Sequence, residues 1–169
     1  MKSKKNITLI GMAASGKSHL GKILAKKFGY KFIDLDDVME KITGMTTSEI
    51  RAVGEEYYLK IEKQAAFTLE NVENIVIAPG GSVVYIEEVM NFLKKKSKVI
   101  YINVDFQILK KRIERRVKNG TLNIIGLRKD NLRELIEARQ KLYKKYADME
   151  VFLDSENPKE NIKKILDCL

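Results

Sequence analysis

Hydrophobic and polar positions along the chain fall into two alternating patterns. Short apolar runs occupy residues 7–10 (ITLI), 74–78 and 99–104, with shorter strand-like segments at 31–34 and 150–153. Between them lie longer segments in which apolar residues recur every three or four positions, as Leu20, Ile23, Leu24 and Phe28 do over residues 18–28. A continuous apolar run suits a strand covered on both faces, and a spacing near 3.6 suits an amphipathic helix. Gly29 stops the first helix. Further helices are expected at 37–42, at 47–73 with an interruption near Gly54, and at 86–95, 105–117, 131–146 and 159–166, with a loop over 119–129. Five strands, each separated by helix, predict an α/β fold: a parallel sheet with helices on both faces.

Composition narrows the classes. At 169 residues the chain is long enough for one domain with a real core, and 44% hydrophobic residues argue against disorder. No apolar run approaches the roughly 20 residues of a membrane span. The opening MKSKKNITLIGM has too short an apolar part for a signal peptide and runs straight into a glycine loop, so a cytoplasmic protein is expected. The single cysteine, Cys168, cannot form an intrachain disulfide and reads as a packing or helix-end residue. The net charge of +9 raises the question of a nucleic-acid partner. The lysines, however, form short clusters (Lys2, Lys4 and Lys5; residues 94–96) without interleaved aromatics, and no RNA- or DNA-binding motif is present. They read as solvated helix faces whose field attracts anionic small molecules.

The chemistry concentrates after the first strand. Gly11, Met12, Ala13, Ala14, Ser15, Gly16, Lys17 and Ser18 match G-x-x-x-x-G-K-[ST], with a strand before and a helix after. The glycines let the backbone curl so that successive N–H groups point at phosphate oxygens, and the following helix adds its positive end. Lys17 is expected to reach the β- and γ-phosphates of ATP, and Ser18 to offer its hydroxyl to Mg²⁺. His19, the one histidine, reads as a helix residue packing behind the loop, since phosphoryl transfer here needs no imidazole.

Two further signals follow. Asp34 and Asp36 close the second strand; two apart in extended chain, they are expected to point to the same side. One carboxylate suits Mg²⁺ through water, and the other suits an acceptor hydroxyl and its proton. Helix capping is the competing reading, with Asp36 as the cap and Asp37 favouring the helix dipole. After the third strand, Pro79-Gly80-Gly81 permits close backbone approach to a ligand, or is a plain turn.

Together these residues resemble the shikimate kinase family. The likeness runs from GMAASGKS through residues 32–36, Glu40, Thr43-Gly44, Ser48-Glu49-Ile50, Gly54-Glu55, Ile61-Glu62 and Gly80-Gly81 to Arg139, Leu142-Tyr143, Ala147-Asp148 and Asn157-Pro158. It implies a nucleoside-monophosphate-kinase type of fold with strand order 2-3-1-4-5. It further implies a single P-loop kinase domain over 1–169, acceptor-binding helices over about 36–62, and a mobile lid over about 113–127. The implied nucleotide contacts are Gly11, Ala13 to Ser18 and His19, with Arg112 stacking on adenine and Pro158 bordering it. Lys17 would stabilise the transferring phosphoryl group. Ser18 would ligate Mg²⁺ directly and Asp34 through water. Asp36, Gly80, Gly81 and Arg139 would hold an anionic hydroxyl acceptor, with Arg139 on its carboxylate. A monomer is implied.

Departures from the family pattern leave the acceptor open. Leu59 stands where the family carries a carboxylate-binding arginine. Arg51 stands where an aromatic is usual, and reads either as a replacement fork from another wall of the pocket or as an exposed helix arginine. Proline replaces the first of three glycines at Pro79. No residue matches the lid arginine cleanly, which leaves Arg115, Arg116 and Arg128. Shikimate is thus the first acceptor to test, with another hydroxy acid, a sugar acid or a nucleoside monophosphate as alternatives. A nucleotide-binding regulatory or RNA-associated role without catalysis is the alternative of another class.

Overall fold

A computed structural model of the protein describes residues 6–128 and 131–169. Lys2, Lys4 and Lys5 and the last position of the expected loop, 129, lie outside the described residues. The centre is a five-stranded sheet of β1 (Asn6–Ile10), β2 (Lys31–Asp34), β3 (Ile75–Ala78), β4 (Ser97–Val104) and β5 (Met149–Leu153). The strands lie in the order β2-β3-β1-β4-β5, and every pairing is parallel. Burial explains the pattern seen along the chain. Interior strands β1 and β3 are buried at every residue, as continuous apolar runs require. The edge strand β5 alternates buried and exposed positions, and the other edge, β2, has no fully buried residue.

Among the described residues seven α-helices lie between the strands and an eighth follows β5: α1 (Lys17–Phe28), α2 (Leu35–Thr43), α3 (Thr47–Val53), α4 (Glu55–Phe67), α5 (Glu87–Lys96), α6 (Phe106–Lys118), α7 (Leu132–Tyr146) and α8 (Pro158–Asp167). Among the described residues no helix is long and apolar enough to cross a membrane. Local chemistry sets the boundaries nearest the rim. Thr46 and Glu49 form a reciprocal capping box that starts α3. Gly54, at φ 144° and ψ 162°, separates α3 from α4, a conformation open to glycine alone. Close packing of α1 on the sheet depends on Gly21, where a methyl group would sit 2.5 Å from the Phe32 ring.

The structure departs from the sequence expectation in four places. The helix expected to 73 ends at Phe67, where the Thr68 hydroxyl bonds back to the Ala65 carbonyl at 2.7 Å and competes with the helical ladder. Strand β4 begins at Ser97, two residues early, because the Ser97 hydroxyl is satisfied in the core by Thr8 Oγ1 at 2.6 Å and the Leu93 carbonyl at 2.7 Å. A 3₁₀ turn over Val83–Tyr85 had no signal in the apolar pattern. Finally, Asp34 and Asp36 do not share an extended strand end. Asp34 caps α2, its Oδ1 accepting the Asp36 N–H at 3.2 Å, and Asp36 lies in the first helical turn. Capping therefore operates, with Asp34 as the cap in place of Asp36.

Candidate active site

In a parallel sheet the segments leaving the carboxyl ends of the strands gather along one rim. Here the segments after β1, β2 and β3 surround a cavity of about 520 Å³. Its floor is the 11–16 loop. Gly11, Ala14 and Gly16 all have positive φ, and a methyl group on Gly11 would sit 2.6 Å from the Ile102 carbonyl oxygen. Lys17 opens α1 and curls back, its Nζ donating to the carbonyls of Gly11 and Met12 at 2.9 Å each. Burial lowers its pKa to about 8, with Asp34 and Asp36 opposing the shift. Such an ammonium is desolvated and ready for a stronger partner than two neutral carbonyls.

Ser18 and Asp34 form one unit, the Ser18 hydroxyl donating to Asp34 Oδ2 at 2.7 Å. Among the described residues no group of three or more His, Cys, Asp or Glu side chains is placed to hold a metal ion by itself. The hydroxyl–carboxylate pair therefore fits a cation that takes its other ligands from phosphate and water, as Mg²⁺ does. Despite the change in local structure, Asp36 lines the same cavity as Lys17 and Asp34. Burial raises its pKa, while Arg51 and a hydrogen bond from the Tyr58 hydroxyl, 3.2 Å from Oδ1, hold it down.

Gly80 and Gly81 form the third wall. The Gly80 N–H is taken by buried Glu62, whose Oε1 accepts it at 2.8 Å, and the Gly81 carbonyl accepts from the Tyr143 hydroxyl at 2.6 Å. A methyl group on Gly80 would sit 2.6 Å from Glu62 Oε1 and 2.8 Å from the Tyr58 oxygen. On Gly81 it would sit 3.0 Å from the Ala13 nitrogen and 3.3 Å from both the Gly11 oxygen and Arg139 Nη1. Desolvation lifts the Glu62 carboxyl to about 7, with the charge of Asp36 adding to it.

The remaining expected residues divide. Arg51 lines the cavity beside Asp36. Arg139 is fully buried beneath residues 120–127 and does not line it. Its Nε donates to the Tyr85 hydroxyl at 3.2 Å and its Nη2 to the Ile125 carbonyl at 2.6 Å. Of the three candidates for a lid arginine, only Arg116 borders the cavity, next to Gly120, Thr121 and Asn123. Arg115 faces a separate depression with Lys111, Arg112 and Glu156, and Arg128 faces a groove beside Phe106. The expected lid range starts inside α6, which runs to Lys118. Pro158 is the first residue of α8 and is exposed. His19 does not pack behind the loop: it is exposed on α1 and does not line the cavity. Cys168 is an exposed helix-end residue, as expected.

Sequence reasoning gave no role to Tyr58, Glu62, Tyr85 or Tyr143. Tyr58 and Glu62 are four apart on the buried face of α4, and polar groups in an apolar stripe were the available signal.

The fold and rim together define a P-loop small-molecule kinase: a backbone cradle with a buried lysine, a hydroxyl–carboxylate pair for the cation, and a carboxylate facing a second wall. The comparisons narrow this class. The shikimate kinase family model matches residues 13–169. The chain is 37% identical over 165 residues to a shikimate kinase of Alkaliphilus oremlandii, covering 96% of this chain and 97% of that one. It is 34% identical over 163 residues to a shikimate kinase of Thermodesulfovibrio yellowstonii, covering 96% and 93%. A solved shikimate kinase from Acinetobacter baumannii in complex with shikimate superposes with a TM-score of 0.86 at 25% identity, over 99% of this chain and 93% of that one. The chain belongs to the shikimate kinase family.

Proposed function

We propose that this protein transfers the γ-phosphoryl group of ATP to a hydroxyl of shikimate, giving shikimate 3-phosphate. The observation that carries the reading is the meeting of Lys17, Ser18, Asp34, Asp36 and the Gly80-Gly81 turn around one cavity in a member of this family. An ATP donor fits a cytoplasmic setting. The wider acceptor classes rest on the departures at Leu59 and Arg51 alone, and the non-catalytic role has no structural observation in its favour.

In this reading the 11–16 loop binds the phosphate chain through its N–H groups, and Lys17 leaves the Gly11 and Met12 carbonyls to meet the β- and γ-oxygens. Ser18 and Asp34 would hold Mg²⁺. The metal supplies charge neutralisation across the phosphates. Asp36 accepts a hydrogen bond from the attacking hydroxyl and orients it in line. As the new O–P bond forms, the bond to the ADP oxygen breaks and the hydroxyl proton passes toward Asp36. Because positioning and charge dominate, Asp36 need not be a strong base. With the Gly80 N–H and the Gly81 carbonyl already bonded, the turn offers an acceptor the Gly81 N–H and close backbone contact. Residues 120–127 act as the lid, with Arg116 as its cation. Arg112 and Pro158 border the adenine.

The test is ADP release from ATP–Mg²⁺ with shikimate, beside a panel of sugar acids and nucleoside monophosphates. Strong shikimate-dependent release is expected. Release that depends on a different acceptor, or on none, overturns the assignment.

A further inference from the structure

The inference rests on the proposed reading, in which the acceptor carries a carboxylate as well as the hydroxyl to be phosphorylated. That carboxylate needs a cation on the Asp36 side of the cavity. Among the described residues three cationic side chains line the cavity: Lys17, Arg51 and Arg116. Lys17 lies on the phosphate loop, folded against the Gly11 and Met12 carbonyls. Arg116 comes from the last turn of α6, beside Thr121. Arg51 alone stands next to Asp36, with Nη2 3.9 Å from its Oδ2. Arg139 does not line the cavity, and its Nε and Nη2 are bonded to Tyr85 and Ile125.

The Arg51 head group is also held as a binding group would be. Its guanidinium lies over the Tyr58 ring, 4.5 Å from the centroid, and Nη2 donates to the Tyr58 hydroxyl at 3.0 Å. Tyr58 in turn donates to Asp36 Oδ1 at 3.2 Å. One tyrosine thus fixes the position of the cation relative to the carboxylate that takes the acceptor hydroxyl. The side chain is only 19% exposed, yet its Nε is buried with no hydrogen-bond partner. A buried guanidinium N–H without an acceptor is costly, and a cation kept in a cavity wall at that cost suits a site for an anion.

We propose that Arg51, pinned by Tyr58, is the anchor for the acceptor's carboxylate and so sets which hydroxy acids this enzyme accepts. Its planar fork grips the carboxylate while Asp36, across the Tyr58 bridge, orients the hydroxyl at the other end of the same molecule. Acceptors that lack the acid, or carry it at another distance from the reacting hydroxyl, fit poorly.

The test compares shikimate with its methyl ester, in which the acid is neutral and the hydroxyls are intact. Binding of each to the full chain with ADP and Mg²⁺ is measured by calorimetry, and KM for shikimate and ATP by ADP release. The wild-type protein is expected to favour the acid. Arg51→Ala should weaken the acid by about 30-fold or more, the usual loss for one partner of a desolvated charge pair, and leave the ester nearly unchanged. KM for ATP should hold, and Arg51→Lys should restore part of the acid affinity. Unchanged acid affinity in Arg51→Ala overturns the proposal. Equal weakening of acid and ester also overturns it, because Arg51 would then act only as a prop for Asp36. If thermal unfolding shows that Arg51→Ala does not fold, Arg51→Gln, similar in length and uncharged, takes its place. Wild-type indifference to shikimate beside turnover of another hydroxy acid would sink the shikimate reading alone; the acid–ester comparison on that acceptor would still decide Arg51.

Discussion

The guanidinium of Arg139 donates to the carbonyl of Ile125 at 2.6 Å. A cation deep in the rim thereby grips the strap above it. A second tie lies nearby, where Glu55 Oε1 accepts the N–H of Gly126 at 2.9 Å. Glu55→Ala cuts this second tie without touching the phosphate loop. Amide exchange at residues 124–127 should quicken by about fivefold, equivalent to about 1 kcal/mol for one lost hydrogen bond. ATP hydrolysis without acceptor should rise with it, as water gains access. Unchanged exchange would mean that the strap is held by Arg139 and its own packing.

Asp36→Asn keeps the shape and the acceptor oxygen for Tyr58 but removes the charge. In ADP-release assays kcat should fall by about 100-fold or more, as for a lost general base or orienting carboxylate. KM for ATP should change little. A loss confined to KM for ATP would assign Asp36 to the nucleotide instead.

Glu62 makes stability depend on pH. Its folded-state pKa of about 7 lies above the ordinary carboxyl value of 4.5, with burial as the main cause. Between those values the folded state binds more protons than the unfolded state, so stability falls as pH rises through that window. Below it both states are protonated and the penalty is absent; above it both are ionised and the penalty is complete, at up to about 3 kcal/mol. Glu62→Gln should flatten this decline in urea titrations between pH 4.5 and 7. An equal slope in the variant would move the origin to Asp36, whose pKa is also raised.

Gly80→Ala forces a methyl group against Glu62 Oε1 and the Tyr58 oxygen, at 2.6 and 2.8 Å. Neither can retreat without breaking its bond to Gly80 or Asp36. A loss of about 1–3 kcal/mol in unfolding free energy is expected, as for other overpacked sites. Affinity for shikimate should fall more than affinity for ATP, since both displaced groups support the acceptor wall.

Much of the molecule was legible where chemistry and neighbours in sequence coincide. The loop from Gly11 to Ser18 carries its meaning in eight adjacent residues, and the interior strands announce themselves because both faces are covered. Gly29 closes α1 in the left-handed conformation, as the sequence led one to expect. The failures share a cause. Ser97 belongs to β4 only because Thr8 and Leu93 satisfy its hydroxyl, and Thr8 lies 89 residues away. Arg139 meets Tyr85 and Ile125, Tyr143 meets Gly81, and Glu62 meets Gly80, all across long stretches of chain. Such pairs exist only after folding. The Asp34–Asp36 error was of another kind: a short polar residue at a strand end serves equally as cap or strand, and the N–H of Asp36 decided for the cap.

A methyl group on Gly81 would meet the Ala13 nitrogen at 3.0 Å and the Gly11 oxygen and Arg139 Nη1 at 3.3 Å, so the turn packs directly against the phosphate loop. The wall of the donor's cradle and the wall of the acceptor's pocket are therefore the same few atoms of backbone, with no side chain to cushion one from the other. A shift made by either guest reaches the other directly. Thermodynamic linkage makes that traffic symmetrical: whatever factor ATP adds to the acceptor's affinity, the acceptor must add to ATP's. A molecule built this way registers, at each of its two sites, what occupies the other.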